Sequence, residues 1–211
     1  MKKSKDIKKI FIEKEDKKMN SKDVMESMFK NMLVRDKQGL VKINKGVLET
    51  CKNIQKKTGG RNKWYTVTSG DKEVFRLLEV EDCQFKVVPG GECGDFLMHY
   101  KWRQYGKRTV AYIGGKDVCI ERVIVCQKKH GIYDASLCNK EVHHMWFRCV
   151  ALYPMLKEVT RKEHTEGHKI VGFYDRAQTL IIESVADFQY MVSQILAMEG
   201  LVKNRQFSWE Y

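Results

Sequence analysis

Between residues 62 and 127 the chain is a succession of short runs rich in β-branched and aromatic residues, joined by turns too short to hold a crossover. The runs are 62–69, 73–80, 83–88, 95–103, 109–113 and 117–127, and Ser69-Gly70-Asp71, Pro89-Gly90-Gly91 and Gly114-Gly115 separate several of them. Parallel neighbours need a connection of about a dozen residues or more, so short links predict an antiparallel meander.

Helical spacing flanks this region. Met25, Met28, Phe29, Met32 and Leu33 recur at helical intervals, with Ser21 as an N-cap and Gly39 past the end. A second helix is expected from Asn44, with Val47, Leu48, Cys51 and Ile54 on one side and Gly59-Gly60 as its stop. Beyond Leu137, the spacing of Val142, Met145, Trp146, Cys149, Val150 and Tyr153 predicts a buried-face helix that Pro154 ends or kinks. The polar stretch 160–167 reads as a loop, and 169–174 and 178–183 read as strands. Ser184 and Asp187 have capping-box spacing ahead of a helix whose stripe is Phe188, Met191, Val192, Ile195 and Leu196, with Gly200 at its close. Phe207, Trp209 and Tyr211 alternate as a terminal strand or an aromatic peg. The expected fold is therefore α+β, a mostly antiparallel sheet of about six to nine strands. Its helices lie near the amino terminus, at about 139–153 and at 185–199.

Charge divides the chain further. The net charge is +12, and residues 1–70 hold 19 Lys and Arg against 8 Asp and Glu. Residues 71–135 hold 11 against 10, and residues 136–211 hold 9 against 9. This partition suggests a basic flexible arm at 1–20, a helical basic segment at 21–60 and an α+β body at 61–211. A basic front on a neutral body suits a protein whose leading part meets phosphates or an anionic membrane. Nucleic acid is favoured over membrane, because Lys2 follows Met1 where a myristoylation site needs Gly, no carboxy-terminal prenylation cysteine is present, and the arm is weakly apolar.

Two stretches mix cations with aromatics. In the first, Lys45, Lys52, Lys56 and Lys57 lead to Arg61 and Lys63 beside Trp64 and Tyr65. In the second, 95–108, a strand reading places Phe96, Met98, Tyr100 and Trp102 on one face and Leu97, His99, Lys101 and Arg103 on the other. A turn at Gln104-Tyr105-Gly106-Lys107 then gathers Lys101, Arg103, Lys107 and Arg108 at one tip. Cations of this kind neutralise phosphates, and exposed aromatics stack on unpaired bases. The same aromatic row also serves to cover a core, in which case only the cationic side meets a ligand.

Seven cysteines, an odd number, and a charged rather than apolar start argue for free thiols in a reducing compartment, so a cytoplasmic or nuclear location is expected. Cys126, His130, Cys138 and His143 form a candidate zinc set, although their spacing departs from the short Cys-x-x-Cys knuckle, and Cys149 falls within an apolar stripe. No GxSxG, Walker, HExxH or strand-linked GxGxxG pattern is present, which leaves a Cys-His pair as the weak catalytic alternative. The function expected is a non-enzymatic, largely sequence-independent binder of RNA, DNA or other single-stranded nucleic acid, without a cofactor unless zinc is bound. Alternatives are a self-associating nucleocapsid or coat-like protein, a peripheral membrane or matrix-like protein, and a zinc-binding regulator.

Overall fold

The computed structural model describes residues 29, 31–35, 38–57, 61–138, 140–144, 147–170 and 178–203. The chain divides into Met1–Asn31, of which Phe29 and Asn31 are described, and Met32–Tyr211. The second unit is α+β and mostly sheet, as the meander pattern predicts.

Seven strands form the main sheet: β1 Leu33–Arg35, β2 Val41–Ile43, β3 Ile54–Lys57, β4 Trp64–Ser69, β5 Lys72–Glu81, β6 Gln84–Val88 and β12 Gln178–Ile182. Their order is β1-β12-β2-β6-β5-β4-β3, with every pair antiparallel except β12 and β2. Strands β7 Arg103–Tyr105, β8 Arg108–Ile113 and β9 Lys116–Cys119 make a second antiparallel sheet. Strands β10 Glu141–His144 and β11 Leu156–Val159 make a third. Five α-helices are described: α1 Lys45–Thr50, α2 Gly91–Met98, α3 Ile120–His130, α4 Arg161–Ile170 and α5 Val185–Lys203. Because β2 and β3 lie in the main sheet, residues 41–57 share that sheet with β4–β6 of the body.

Strand β5 buries Phe75, Arg76, Leu77, Leu78 and Glu79 in succession, so both faces of the main sheet are covered at its middle. On one face Trp64, Leu78 and Val88 pack with Leu97 and Met98 of α2, Trp102, Ala111, Ile113 and Val118, and Ile120, Val123 and Ile124 of α3. Helix α5 begins with a reciprocal cap in which the Ser184 amide donates to Asp187 Oδ2 (3.0 Å) and the Asp187 amide to Ser184 Oγ (3.1 Å). It buries Phe188, Met191, Val192, Ile195 and Met198 and runs past Gly200 to Lys203.

Several predicted elements differ. Of the run 95–103 only Arg103 is in a strand, the first residue of β7: Gly91–Met98 is helical, and Gly94, Leu97 and Met98 form its buried face at spacings of three and four. The run 117–127 is strand only to Cys119. Ile120–Cys126 enter α3, where every residue of this stretch is buried except the half-buried Arg122, so its β-branched residues carry no strand alternation. Gly131, with φ 71°, closes α3 in the left-handed conformation, and Lys128, Lys129 and His130 in the last turn complement its carbonyl end.

The helix expected at about 139–153 is absent from its described residues. Glu141–His144 form β10, while the Val87 amide donates to the Cys149 carbonyl and the Ala151 amide to the Val87 carbonyl, each at 2.8 Å. Cys149 and Val150 are buried by this bridge, so their apolar spacing reflects burial rather than a helical face. The polar stretch from Arg161 is helix α4, which takes in Lys169 and Ile170 of an expected strand and opens on a cap between Thr160 and Glu163. Near the amino terminus, Leu33 lies in β1 rather than a helix, and the second helix stops at Thr50 so that Ile54 enters β3. Residues 1–28, 171–177 and 204–211, which include the arm, most of the first expected helix and the aromatic tail, lie outside the described residues.

A buried ionic cluster joins these layers. Lys86 Nζ of β6 lies 2.8 Å from Glu121 Oε1 of α3 and also donates to the Arg148 carbonyl, and His144 Nε2 of β10 lies 3.2 Å from the same Glu121 oxygen. Lys86 holds the Glu121 carboxyl well below the usual carboxylate range against the cost of burial, with His144 adding to the effect. Burial lowers His144 from 6.5 to about 4, with Lys86 acting in the same sense and Glu121 against it. The native state thus keeps His144 neutral where the unfolded chain protonates it. Stability is present above pH 6.5 and is lost as pH falls toward 4. The loss is expected to be about 3 kcal/mol. Denaturant midpoints between these pH values, with His144→Gln as the flatter comparison, check this.

Candidate nucleic-acid interface

The second sheet presents two unlike faces. Thr109, Ala111, Ile113 and Val118 are buried on its inner side. Register pairs Arg103 with Val110, Tyr105 with Arg108 and Tyr112 with Asp117, which places these six side chains on the opposite side. There Tyr105 is 72% exposed and Tyr112 66%, and Arg103, Arg108 and Asp117 are also exposed, while Val110 between them is covered. Among the large hydrophobic side chains of the described residues, these two tyrosines are the most exposed.

Local chemistry builds this face. The two-residue loop Gly106-Lys107 joins β7 to β8, and Gly106 takes a positive φ of 56° that a hairpin with glycine first in its turn requires. Gln104 on the inner side donates to the carbonyls of Gln38 (3.2 Å) and Gly106 (3.0 Å) and accepts from Thr109 Oγ1 (2.9 Å). These bonds fix β7 to the body and leave Arg103 and Tyr105 facing out. Arg103 Nη2 donates to both oxygens of Asp117 at 2.7 Å, whereas no side-chain hydrogen bond or ion pair engages Arg108, Tyr105 or Tyr112 among the described residues.

A second junction brings distant cations close. The Asn62 amide donates from Nδ2 to the Trp102 carbonyl (2.9 Å) and the Glu79 carbonyl (3.1 Å), and its Oδ1 accepts from the Trp102 amide (2.9 Å). Arg61 and Lys63 on one segment, and Lys101 and Arg103 on the other, therefore flank one pinned contact. Of these, Lys63 is tied to Glu79 (3.3 Å), while Arg61 and Lys101 are exposed with no ion pair among the described residues. Lys107 is exposed at the hairpin turn.

The remaining predicted residues are placed otherwise. Lys45 pairs with Glu49 (3.9 Å), and Lys57 with Asp95 (3.4 Å). Lys52 and Lys56 are exposed, and no hydrogen bond or ion pair links them to the hairpin among the described residues.

The predicted aromatics are largely core. Trp64 is 0% exposed, and Trp102 is 1% exposed with Nε1 donating to the Leu97 carbonyl (2.7 Å). Neither ring is open to a base. Tyr65 is half-buried against Phe85, with its hydroxyl donating to Glu79 Oε2 (3.4 Å), and burial together with that carboxylate pushes it up to about 12. The exposed partner of Tyr105 is Tyr112, which the sequence reading overlooked although it shares the parity of Arg108 on the return strand.

The four candidate zinc ligands do not converge as a set, although Cys126 and Cys138 lie side by side. Cys126 and Cys138 are buried, with Cys126 Sγ 3.4 Å from the Ile132 carbonyl and Cys138 Sγ 3.9 Å from the Arg122 carbonyl, and the Cys138 thiol is pushed up to about 12 by burial and by Cys126. His130 is exposed at the end of α3, and His143 packs edge-on against His164 with ring centres 5.2 Å apart. Among the described residues, the group whose donor atoms fall within 4.8 Å of one another is Glu79, Asp82 and Cys83. Glu79 there already receives Lys63, Tyr65 and the Cys83 amide. No helix among the described residues is long and apolar enough to cross a membrane. Compared with protein-family models, curated proteins and solved structures, the chain matches none.

Proposed function

We propose that this chain is a non-enzymatic binder of single-stranded RNA or DNA, largely indifferent to sequence. The outer face of β7–β9 meets the strand, and the basic residues of the first third of the chain gather it. The observation that carries this reading is the exposed alternation of Arg103, Tyr105, Arg108 and Tyr112 on one sheet face. Arginine neutralises phosphate oxygens in any sequence context, and an exposed ring offers a surface on which any base stacks. The charge excess, 19 cations against 8 acids over residues 1–70, supplies the long-range attraction that brings a polyanion to the face.

Salt tests the proposal. Affinity for a labelled single-stranded oligonucleotide should fall log-linearly with salt, with a slope of about −0.7 for each phosphate neutralised. Arg108→Gln should weaken binding and reduce the magnitude of that slope by about 0.7. Deleting residues 2–18 should reduce it further. Affinity insensitive to salt, or unchanged when both alterations are combined, would sink the reading.

A further inference from the structure

Resting on the nucleic-acid reading, we infer that the outer face of β7–β9 is a three-nucleotide platform on which Tyr105 and Tyr112 stack bases n and n+2. Arg108 and Arg103 take the phosphates of that stretch, with Asp117 competing for Arg103.

Spacing sets the footprint. Tyr105 stands opposite Arg108, and Tyr112 lies four residues farther along β8, so the rings are separated along the strand by about 13 Å, at roughly 3.3 Å per residue. A stacked nucleotide chain advances about 3.4 Å per nucleotide. Unstacked and extended, it covers about twice that distance, so two steps span the interval between the rings. One nucleotide is thus bridged between the two stacked bases. Arg103 lies on the same face between the two ring positions, where the bridging backbone passes. A duplex keeps its base faces stacked inside and offers them to neither ring, so the platform selects unpaired strands.

Asp117 gives the platform an internal competitor. Both its oxygens hold Arg103 in the free protein, with side chains roughly half exposed, and a phosphate likewise offers the guanidinium two anionic oxygens. Binding therefore exchanges one carboxylate for one phosphate. Removing the carboxylate's charge should make the exchange unnecessary.

The test uses the full chain and fluorescein-labelled octauridylate and octathymidylate, with an octamer duplex alongside. Tyr105→Ala and Tyr112→Ala should each weaken binding to either single strand by roughly 5- to 100-fold without changing the salt slope, and the Phe variants should keep wild-type affinity. Neither ring is buried, so these changes leave the core intact. Asp117→Asn should tighten binding several-fold and steepen the slope, a gain that damaged folding does not mimic. Among oligouridylates, affinity should rise sharply up to three nucleotides and slowly thereafter. Octamers that bind with a salt slope but lose nothing in the double Tyr→Ala variant, or that fit the duplex equally well, overturn the platform while leaving the binding function. An absence of binding to any octamer overturns both.

Discussion

Lys86→Met is expected to destabilise the protein by about 3–5 kcal/mol, because it leaves the Glu121 carboxylate buried without its principal counter-charge. Lys86 and Glu121 side chains are 2% and 8% exposed, so solvent cannot replace the lost partner. The cost comes from the orphaned charge more than from the lost attraction. Lys86→Met combined with Glu121→Leu should therefore recover most of the stability, since apolar residues of similar volume often replace a buried pair at little loss. Guanidinium unfolding of the wild type, both single variants and the double variant measures the coupling. A Lys86→Met loss below about 1 kcal/mol would show that water reaches the cluster.

Trp102→Ala should cost a similar amount, about 3–5 kcal/mol, through the cavity left in the core shared by α2, α3 and the inner face of the second sheet. It also leaves the Leu97 carbonyl without its indole donor. At a temperature where the variant is still folded, its affinity for a single-stranded oligonucleotide should equal that of the wild type, because the ring faces protein. Thermal melting and fluorescence anisotropy on the same samples separate the two effects. A variant that melts normally but binds poorly would place the indole at the ligand instead. Trp102 and Tyr112 thus make a pair of opposite expectations: one aromatic matters to stability and not to binding, the other to binding and not to stability.

What was legible in the sequence was local. The Ser184 and Asp187 cap and the apolar stripe after it announce α5 because both are satisfied within the helix itself and on one of its faces. Strands β4, β5, β6 and β8 were legible for the same reason: short turns bound them, and pairing follows from neighbours in the chain. Helix α3 was misread where burial on several sides erased any clear period, α2 because its apolar and aromatic residues also alternate as a strand's would, and β10 because the apolar spacing of the residues after it imitates a helical face. Apart from Glu121 and Arg122, Ile120–Cys126 is β-branched and apolar as a strand would be, and its helical state shows only in Gly131 and the basic turn before it. The cap at Thr160 and Glu163 was readable, yet the polar composition after it masked α4.

For the candidate site, the sequence by itself determined the chemistry: a cationic hairpin with Arg103, Lys107 and Arg108, interleaved with aromatic rings and attached to a basic front. Only the tertiary structure decided which rings are open. Trp64 and Trp102 lie on faces that another layer covers, whereas Tyr105 and Tyr112 lie on a face left open at its edges. Alternation along a strand assigns side chains to one side or the other, but which side is desolvated depends on packing partners in other elements, such as α2 and α3. The physical reason is that burial is a property of two surfaces, and a strand's own sequence specifies only one of them.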